Sequence, residues 1–316
     1  MAISPSEFHG ILVVDKPTGM TSHDVVGQIR KIYQTKRVGH TGTLDPDASG
    51  VLVLCLGQAT RLAEYLSAAH KHYVTEVVLG VETDTQDASG QTTATCDASH
   101  LTQADVEGVL PRFRGTIQQI PPMVSALHHQ GKRLYELARA GVTVERAARQ
   151  IQIEYLEMTE FIAGEHPAVQ LEVTCSTGTY IRTLAADIGA ALGVGGMMRR
   201  LRRTWVGTSE ASAFRLLEAH TLESLQDRKA AGTLRETLLP ILMALRDWPQ
   251  IQLDAAQSTR IRNGQAVLKE APGADYASWP DPESAQAVAI LNEAGTFFAV
   301  GRIAEEKLTP VKVIAP

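Results

Sequence analysis

The sequence lacks the features that mark secreted, disulfide-stabilised and membrane-spanning proteins. Its 316 residues include only three cysteines, and an odd number at wide spacing predicts neither a disulfide framework nor a zinc site. No apolar run approaches the roughly 18 residues of a membrane span, and residues 1–10 lack the basic and apolar segments of a signal peptide. We therefore expect a cytoplasmic protein with no membrane association.

An excess of positive charge is also missing. The chain has 30 lysines and arginines against 35 aspartates and glutamates, a net charge of −5, which argues against a uniformly basic nucleic-acid-binding protein. A local basic patch can still bind RNA on an acidic protein. Three groups of basic residues are candidates: Arg199, Arg200, Arg202 and Arg203; Lys132, Arg133, Arg139, Arg146 and Arg149; and Arg260, Arg262 and Lys269.

Length and patterning predict two globular domains. Segments with strand and helix periodicity interleave without a regular βαβ repeat, so we expect a mixed α+β fold rather than a doubly wound sheet. A boundary near residues 247–249 would separate a larger domain, 1–247, from a small β-rich domain, 250–316. Within the small domain, residues 271–286 are rich in proline, serine and alanine and predict a loop.

The most informative segment is the string Gly-His-Thr-Gly-Thr-Leu-Asp-Pro-Asp-Ala-Ser-Gly at residues 39–50. Pro46 biases Asp45 away from the helical region, and the apolar residues 51–54 predict a buried strand directly after it. A carboxylate held at the start of such a strand is well placed to act as a nucleophile. An isolated Asp-Pro pair, in contrast, is more often a simple turn.

A second carboxylate in the same segment, Asp47, keeps two other chemistries open. Paired carboxylates can bind a hard cation or share acid–base work, so a metal-assisted transferase and a two-carboxylate glycosidase are alternatives. Alternate residues of an extended loop face opposite ways, so we expect Asp47 to face solvent. Asp84 and Asp87 lack the remaining ligands of a calcium loop, and we expect them to shape a turn.

Two further segments offer partners for Asp45. Residues 169–181 alternate in hydrophobicity and predict a strand, on which Tyr180 and Arg182 would face the same side. If that side meets Asp45, the guanidinium group could bind the carboxylate in a bidentate fashion and keep it ionised. An ion pair at a sheet edge is the structural alternative. Tyr73, in another predicted strand, could stack on an extruded base.

The order and spacing of several segments resemble the TruB family of tRNA pseudouridine synthases from residue 10 to residue 310. The resemblance is carried by residues 39–50, Lys71-His72-Tyr73, Gln119-Ile120-Pro121-Pro122, Ser125-Ala126, residues 131–135, Ala138-Arg139, residues 178–182 and residues 199–203. It implies a pseudouridine synthase fold, with a mixed, largely antiparallel central sheet and flanking helices. The final segment resembles a PUA domain, a small RNA-binding β-barrel module.

The resemblance also implies a reaction, which is conversion of the T-loop uridine of tRNA, position 55, to pseudouridine without a metal or other cofactor. Asp45 would be the catalytic residue, supported by Arg182, Tyr73, Tyr180 and Leu201. Residues implied in RNA binding are His40, Lys132, Arg133, Arg139, Arg146, Arg199, Arg200, Arg202 and Arg203. Asp47, Val124 and His128 depart from the family pattern. The departures at Val124 and His128 affect details of RNA contact rather than the reaction, whereas Asp47 supports the metal-assisted and two-carboxylate alternatives.

The implied partner is tRNA, bound by a monomer that needs no other protein. A basic excursion at residues 126–150 would clamp the T-arm, the C-terminal domain would reach the acceptor stem, and His40 would fill the space left by rearranged bases. Three alternatives remain. They are a guide-dependent relative of the dyskerin branch, an RNA-binding or tRNA-folding protein without chemistry, and a metal-dependent enzyme.

Overall fold

The structure, a computed structural model, describes residues 8–125, 127–129, 131–268, 287–304 and 306–314. The predicted loop at 271–286 lies outside these residues, and so do the side chains of Lys132, Arg133 and Arg139. The described strands are β1 (Gly10–Lys16), β2 (Val38–His40), β3 (Ser49–Leu56), β4 (His70–Leu79), β5 (Val81–Thr83), β6 (Thr92–Thr95), β7 (Gly115–Gln119), β8 (His128–His129), β9 (Lys132–Arg133), β10 (Arg149–Ile162), β11 (Ala168–Cys175), β12 (Gly196–Gly207), β13 (Phe214–Arg215), β14 (Gln250–Gln252), β15 (Val267–Leu268), β16 (Ala287–Leu291), β17 (Phe297–Ala304) and β18 (Lys307–Val313). The α-helices are α1 (Ser22–Ile32), α2 (Ala63–Ser67), α3 (Gln103–Val109), α4 (Leu134–Arg139), α5 (Ile181–Ala191), α6 (Leu222–Ala231) and α7 (Ala255–Arg262).

A nine-stranded sheet forms the larger part of the molecule. Its main path runs β1-β3-β12-β4-β11-β10-β7, with β2 paired to β3 and β13 to β12. The β3·β12 pair is parallel, and the other described pairs of this sheet are antiparallel. The predicted mixed α+β fold with a largely antiparallel central sheet is therefore confirmed.

A second sheet of five strands, in the order β14-β16-β17-β18-β15, contains the C-terminal residues. It is curled into a half-barrel, which confirms the predicted β-barrel-like module. The two sheets meet through a small apolar cluster that includes Leu62, Leu245 and Val300. Among the described residues, no helix has the length and apolar character needed to cross a membrane.

Helix α1 illustrates how local sequence builds the core beneath the Asp45 segment. Thr21 and Asp24 form a capping box, in which the Thr21 hydroxyl group accepts from the Asp24 amide and the Asp24 carboxylate accepts from the Thr21 amide. The apolar face of the helix, Val25, Val26 and Ile29, is buried in the cluster that contains the inward side chains of β1 and β3. One face of the sheet is thereby closed.

The segment at 169–181 corrects one prediction. Strand β11 ends at Cys175, and Tyr180 is the residue that immediately precedes helix α5. Gly178 adopts a φ of +86°, a conformation that glycine reaches without strain, and it turns the chain between strand and helix. Tyr180 and Arg182 therefore do not alternate along a strand, and their positions depend on a turn that hydrophobic periodicity does not predict.

Candidate active site

A cavity of about 250 Å³ opens where the Asp45 loop, one face of the central sheet and the turn before α5 meet. Five residues that the sequence singled out line it together: Asp45, Tyr73, Tyr180, Arg182 and Leu201. The other lining residues are Gly42, Thr43, Leu44, Lys71, Ser125, Ser176, Thr177, Gly178, Thr179, Ile181 and Arg203. Segments from four distant parts of the chain thus converge on one carboxylate.

The loop that carries Asp45 is held from the protein interior. The fully buried ammonium group of Lys16 donates to the carbonyl oxygens of Pro46 (3.1 Å) and Ala48 (2.7 Å). The Ser22 hydroxyl group accepts from the Leu44 amide at 2.8 Å. These contacts fix the backbone on both sides of Asp45, while its side chain stays 40% exposed toward the cavity. The sequence assigned no role to Lys16.

Arg182 is the direct partner of Asp45. Its Nε lies 3.0 Å from Asp45 Oδ2, and the Arg182 side chain is only 4% exposed. The predicted bidentate contact is wrong, because the two terminal nitrogens donate instead to the carbonyl oxygens of Thr85 (3.1 Å) and Val124 (2.9 Å). A guanidinium group with all three nitrogens engaged cannot rotate freely, so it presents a fixed positive charge to the carboxylate.

Two neighbouring groups support this arrangement. Asp87 Oδ2 lies 3.5 Å from Arg182 Nε, and Asp87 Oδ1 accepts from the Ser89 amide and hydroxyl groups within the predicted turn. The side-chain amide of Gln119 accepts from the Tyr180 backbone N–H (2.8 Å) and donates to the Tyr180 carbonyl (3.1 Å). The sequence marks Gln119 only as part of a motif. In the structure, its side-chain amide holds the backbone of the turn at Tyr180.

The floor of the cavity is the face of the sheet formed by β4 and β12. Tyr73 lies opposite Arg203 in the antiparallel pair, and Leu201 lies opposite Thr75. Lys71 is two residues before Tyr73 on β4 and therefore shares its face. Burial raises the pKa of the Tyr73 hydroxyl group, so this side chain is neutral at physiological pH.

Arg203 does not lie at the protein surface, where the predicted contact with phosphate groups of the tRNA would be made. Its side chain is only 2% exposed, and it donates to the carbonyl oxygens of Val51 (2.7 Å) and Gly42 (3.1 Å). Since Arg203 is buried beneath the Asp45 loop, it has no access to a phosphate group at the surface. Charge runs in a sequence do not reveal which member of the run faces inward.

The other arginines of β12 are accessible. The side chains of Arg199, Arg200 and Arg202 are 44%, 83% and 41% exposed. Arg199 and Arg200 both pair with Glu76, and Arg202 Nη2 lies 2.8 Å from Asp15 Oδ2. Partly exposed ion pairs of this kind are weak, so these guanidinium groups remain available to a stronger anion.

Two predicted RNA-contact residues lie away from the cavity lining. His40 is half-buried at the end of β2, where burial lowers the pKa of its imidazole group and favours the neutral ring. Arg146 is also half-buried, and its Nε has no hydrogen-bond partner within the described part of the chain.

The hypothesis of a bound metal ion depends on a second carboxylate, Asp47, close to Asp45. Asp47 is exposed, as the alternation along the loop predicted. Within the residues that the structure describes, no group of three or more His, Cys, Asp or Glu side chains is arranged to hold a metal ion.

Three family models match successive parts of the chain. Residues 30–181 match the family model described as TruB family pseudouridylate synthase (N terminal domain). Residues 182–246 match the tRNA pseudouridylate synthase B C-terminal domain, and residues 249–314 match Pseudouridine synthase II TruB, C-terminal.

Similar proteins cover most of the chain. The tRNA pseudouridine synthase B of Symbiobacterium thermophilum is 49% identical over 261 residues, which are 83% of this chain and 84% of that protein. The protein of the same name from Nitrosococcus oceani is 41% identical over 309 residues, 98% of this chain and 95% of the relative. Among solved structures, a chain of a Cbf5-Nop10-Gar1 complex superposes with a TM-score of 0.73 at 29% identity, covering 98% of this chain and 85% of that chain.

Proposed function

Since the chain belongs to the TruB family of pseudouridine synthases, we propose that it isomerises uridine to pseudouridine at position 55, in the T-loop of tRNA. Similarity to proteins named tRNA pseudouridine synthase B supports tRNA as the substrate. The observation that carries the proposal is the Asp45 carboxylate, paired with Arg182 at 3.0 Å in a cavity lined by Tyr73 and Tyr180.

The reaction requires the target nucleotide to leave the RNA stack. The C1′–N1 bond of uridine must break and a C1′–C5 bond must form, which demands that the base turn over within the cavity. Flipping a nucleotide out of a stack costs a few kcal/mol. Unstacked bases of single-stranded loops are extruded at least cost, which suits a T-loop substrate.

Asp45 initiates the reaction in this proposal, either by attack of its carboxylate on C1′ or by removal of the C2′ proton. Both routes use the Asp45 carboxylate, which the Arg182 guanidinium holds in place at 3.0 Å. Tyr73 and Tyr180 flank the base, and Leu201 supplies an apolar wall. No metal or other cofactor takes part.

Binding of the tRNA body uses surfaces outside the cavity. The proposed catalytic domain is 1–247, with the excursion 126–150 clamping the T-arm, and the proposed RNA-binding domain at 250–316 reaches the acceptor stem. Exposed Arg199, Arg200 and Arg202 lie on the strand that also carries Leu201, so phosphate groups next to the flipped nucleotide are within their reach. Such contacts set register and affinity rather than base identity.

A guide-dependent function is the second candidate. The solved structure of a Cbf5-Nop10-Gar1 complex favours it, because that similar protein is found with two protein partners. We favour the stand-alone function, as a monomeric cytoplasmic enzyme, on the higher identity to the tRNA pseudouridine synthases B.

The decisive measurement is release of the C5 hydrogen of uridine from unmodified tRNA by the purified chain. We expect release from wild-type protein alone, none from a transcript whose position 55 is cytidine, and no effect of a chelator. Asp45→Asn should abolish release and leave the Kd for tRNA within about threefold, because a neutral isostere removes charge but little volume. Inactivity of the lone wild-type chain, or a large loss of binding by Asp45→Asn, would contradict the proposal.

A further inference from the structure

Two buried cations lie side by side in the floor of the cavity. Lys71 and Arg203 are 5% and 2% exposed, and both line the cavity. Lys71 Cε and Arg203 Nη1 each lie 3.7 Å from the Cβ position built on Gly42, in the loop that leads to Asp45. The Arg203 guanidinium is also adjacent to the hydroxyl group of Tyr73.

Neither cation has a carboxylate partner among the described residues. The Lys71 ammonium group donates to the carbonyl oxygens of Ser67 (3.0 Å) and Ala69 (2.5 Å). Arg203 donates to backbone carbonyl oxygens and to the neutral Tyr73 hydroxyl group. Burial, together with the neighbouring charge of Arg203, lowers the pKa of Lys71 to about 8. Asp45 is already paired with Arg182, so the floor carries excess positive charge.

Uncompensated buried charge is costly in a folded protein. Active sites nevertheless contain buried charged side chains, because these stabilise the opposite charge that develops on the substrate during the reaction. The cavity lining supplies three cations, Lys71, Arg182 and Arg203, and one carboxylate, Asp45. Arg182 pairs with both Asp45 and Asp87, so the excess positive charge belongs to Lys71 and Arg203. A neutral uracil base would gain little from this excess positive charge, but an anion formed from the uracil base would be stabilised by it.

The proposed reaction produces such an anion by either route. When the C1′–N1 bond breaks, its electron pair stays on N1 and is delocalised onto O2 and O4 of the uracil ring. Carbon C1′ then either binds an Asp45 oxygen or forms a double bond to C2′ as Asp45 takes the C2′ proton. Later, C5 of the ring bonds to C1′, as the Asp45–C1′ bond breaks in the first route or as Asp45 returns its proton to C2′ in the second. The C5 proton then leaves and N1 gains a proton, so product and substrate are isomers.

We infer that Lys71 and Arg203 stabilise the negative charge of the uracil ring while it is detached from the ribose, an inference that rests on the proposed function. Lys71 shares the sheet face of Tyr73, and Arg203 pairs with Tyr73 across the strands, so both cations lie beside the ring proposed to flank the base. Nothing in this role depends on the choice between the two routes for Asp45.

The test combines a change of the uracil ring in the substrate with the removal of one buried cation from the protein. Single-turnover rates are measured with excess protein on tRNA that carries uridine or 5-fluorouridine at the target site, by loss of the original nucleoside in digests. Fluorine stabilises the ring anion, so the substrate needs less help from the protein. We expect Lys71→Met to slow the uridine reaction by roughly 10- to 100-fold, and to slow the 5-fluorouridine reaction by a factor at least about threefold smaller.

Lys16→Met is the matched control. Lys16 is equally buried, and burial likewise lowers its pKa to about 8, but it holds the Asp45 loop and does not line the cavity. Lys16→Met should lower the single-turnover rates on uridine and on 5-fluorouridine by the same factor. Lys71→Arg, which keeps the charge, should recover most of the rate on uridine. If Lys71→Met does not fold, Arg203→Met removes the other cation and provides the same comparison of the two substrates.

Equal slowing of the two substrates by Lys71→Met, or a wild-type rate, would overturn the inference while leaving the proposed function intact. Failure of the wild-type chain to modify tRNA would instead remove the proposed function, and the inference with it.

Discussion

At the scale of single residues, buried cations that bind backbone carbonyl oxygens organise the cavity. Lys16 holds the backbone after Asp45, Arg203 holds the backbone before it, and Arg182 bridges Asp45 to Thr85 and Val124. A carbonyl oxygen satisfies a buried donor without neutralising it. The region therefore keeps its positive charge and remains suited to an anionic substrate or intermediate.

A buried thiol makes stability depend on alkaline pH. Burial raises the pKa of Cys55 from its ordinary value of 9.0 to about 12, so below pH 9 the thiol is protonated in both folded and unfolded chains. As the pH rises above 9, the unfolded chain releases a proton that the folded chain retains, and the free energy of unfolding falls. Between pH 8 and pH 10 we expect wild type to lose about 1.4 kcal/mol relative to Cys55→Ala, measured by denaturant unfolding.

The exposed thiol of Cys96 provides the control for that measurement. Cys96→Ala should leave the pH dependence of wild type unchanged. An identical slope for Cys55→Ala and wild type would show that the Cys55 thiol ionises in the folded protein.

At the scale of secondary-structure elements, the parallel junction of β3 and β12 is closely packed. Gly50 pairs with Arg203 across this junction and has a φ of +103°. A Cβ atom on Gly50 would lie 2.1 Å from the Arg203 carbonyl oxygen. Only glycine allows the strands to approach so closely, and this approach carries Arg203 beneath the Asp45 loop.

Gly50→Ala should therefore lower the free energy of unfolding by about 3 kcal/mol or more, through steric overlap with backbone and an unfavourable φ. Gly27→Ala in helix α1 is the control, since nothing lies within 4 Å of its Cβ position, and it should raise stability by roughly 0.5–1 kcal/mol. Denaturant unfolding of Gly50→Ala and Gly27→Ala measures both changes in the free energy of unfolding. A loss below 1 kcal/mol for Gly50→Ala would mean that the strands can separate without cost.

At the scale of the whole molecule, the C-terminal sheet is anchored to the segment around α2. The Lys312 ammonium group pairs with Glu64, donates to the Arg61 carbonyl oxygen at 2.9 Å and lies 5.4 Å from the centre of the Tyr65 ring. Arg61 Nη1 in turn donates to the Val313 carbonyl oxygen at 2.6 Å. These contacts set the angle of the C-terminal sheet relative to the cavity.

Lys312→Met should therefore affect long substrates selectively. We expect kcat/KM for full-length tRNA to fall about fivefold, equivalent to roughly 1 kcal/mol, because the C-terminal sheet would no longer be held toward the acceptor stem. The kcat/KM for an isolated T-arm stem-loop should not change. Lys307→Met, an exposed residue of the same strand, is the control, and equal losses on both substrates would contradict the proposed reach to the acceptor stem.

The sequence alone predicted the Asp45 loop, the buried strand after it, the family and the mixed sheet, because these depend on local spacing and on motifs that are contiguous in the chain. Tertiary structure decided what depends on distant neighbours. Arg203 is buried because β12 pairs with Gly50, a residue 153 positions earlier. Arg182 meets Asp45 from the first turn of a helix rather than from a strand, since a polar turn redirects the chain where hydrophobic alternation predicted continuation.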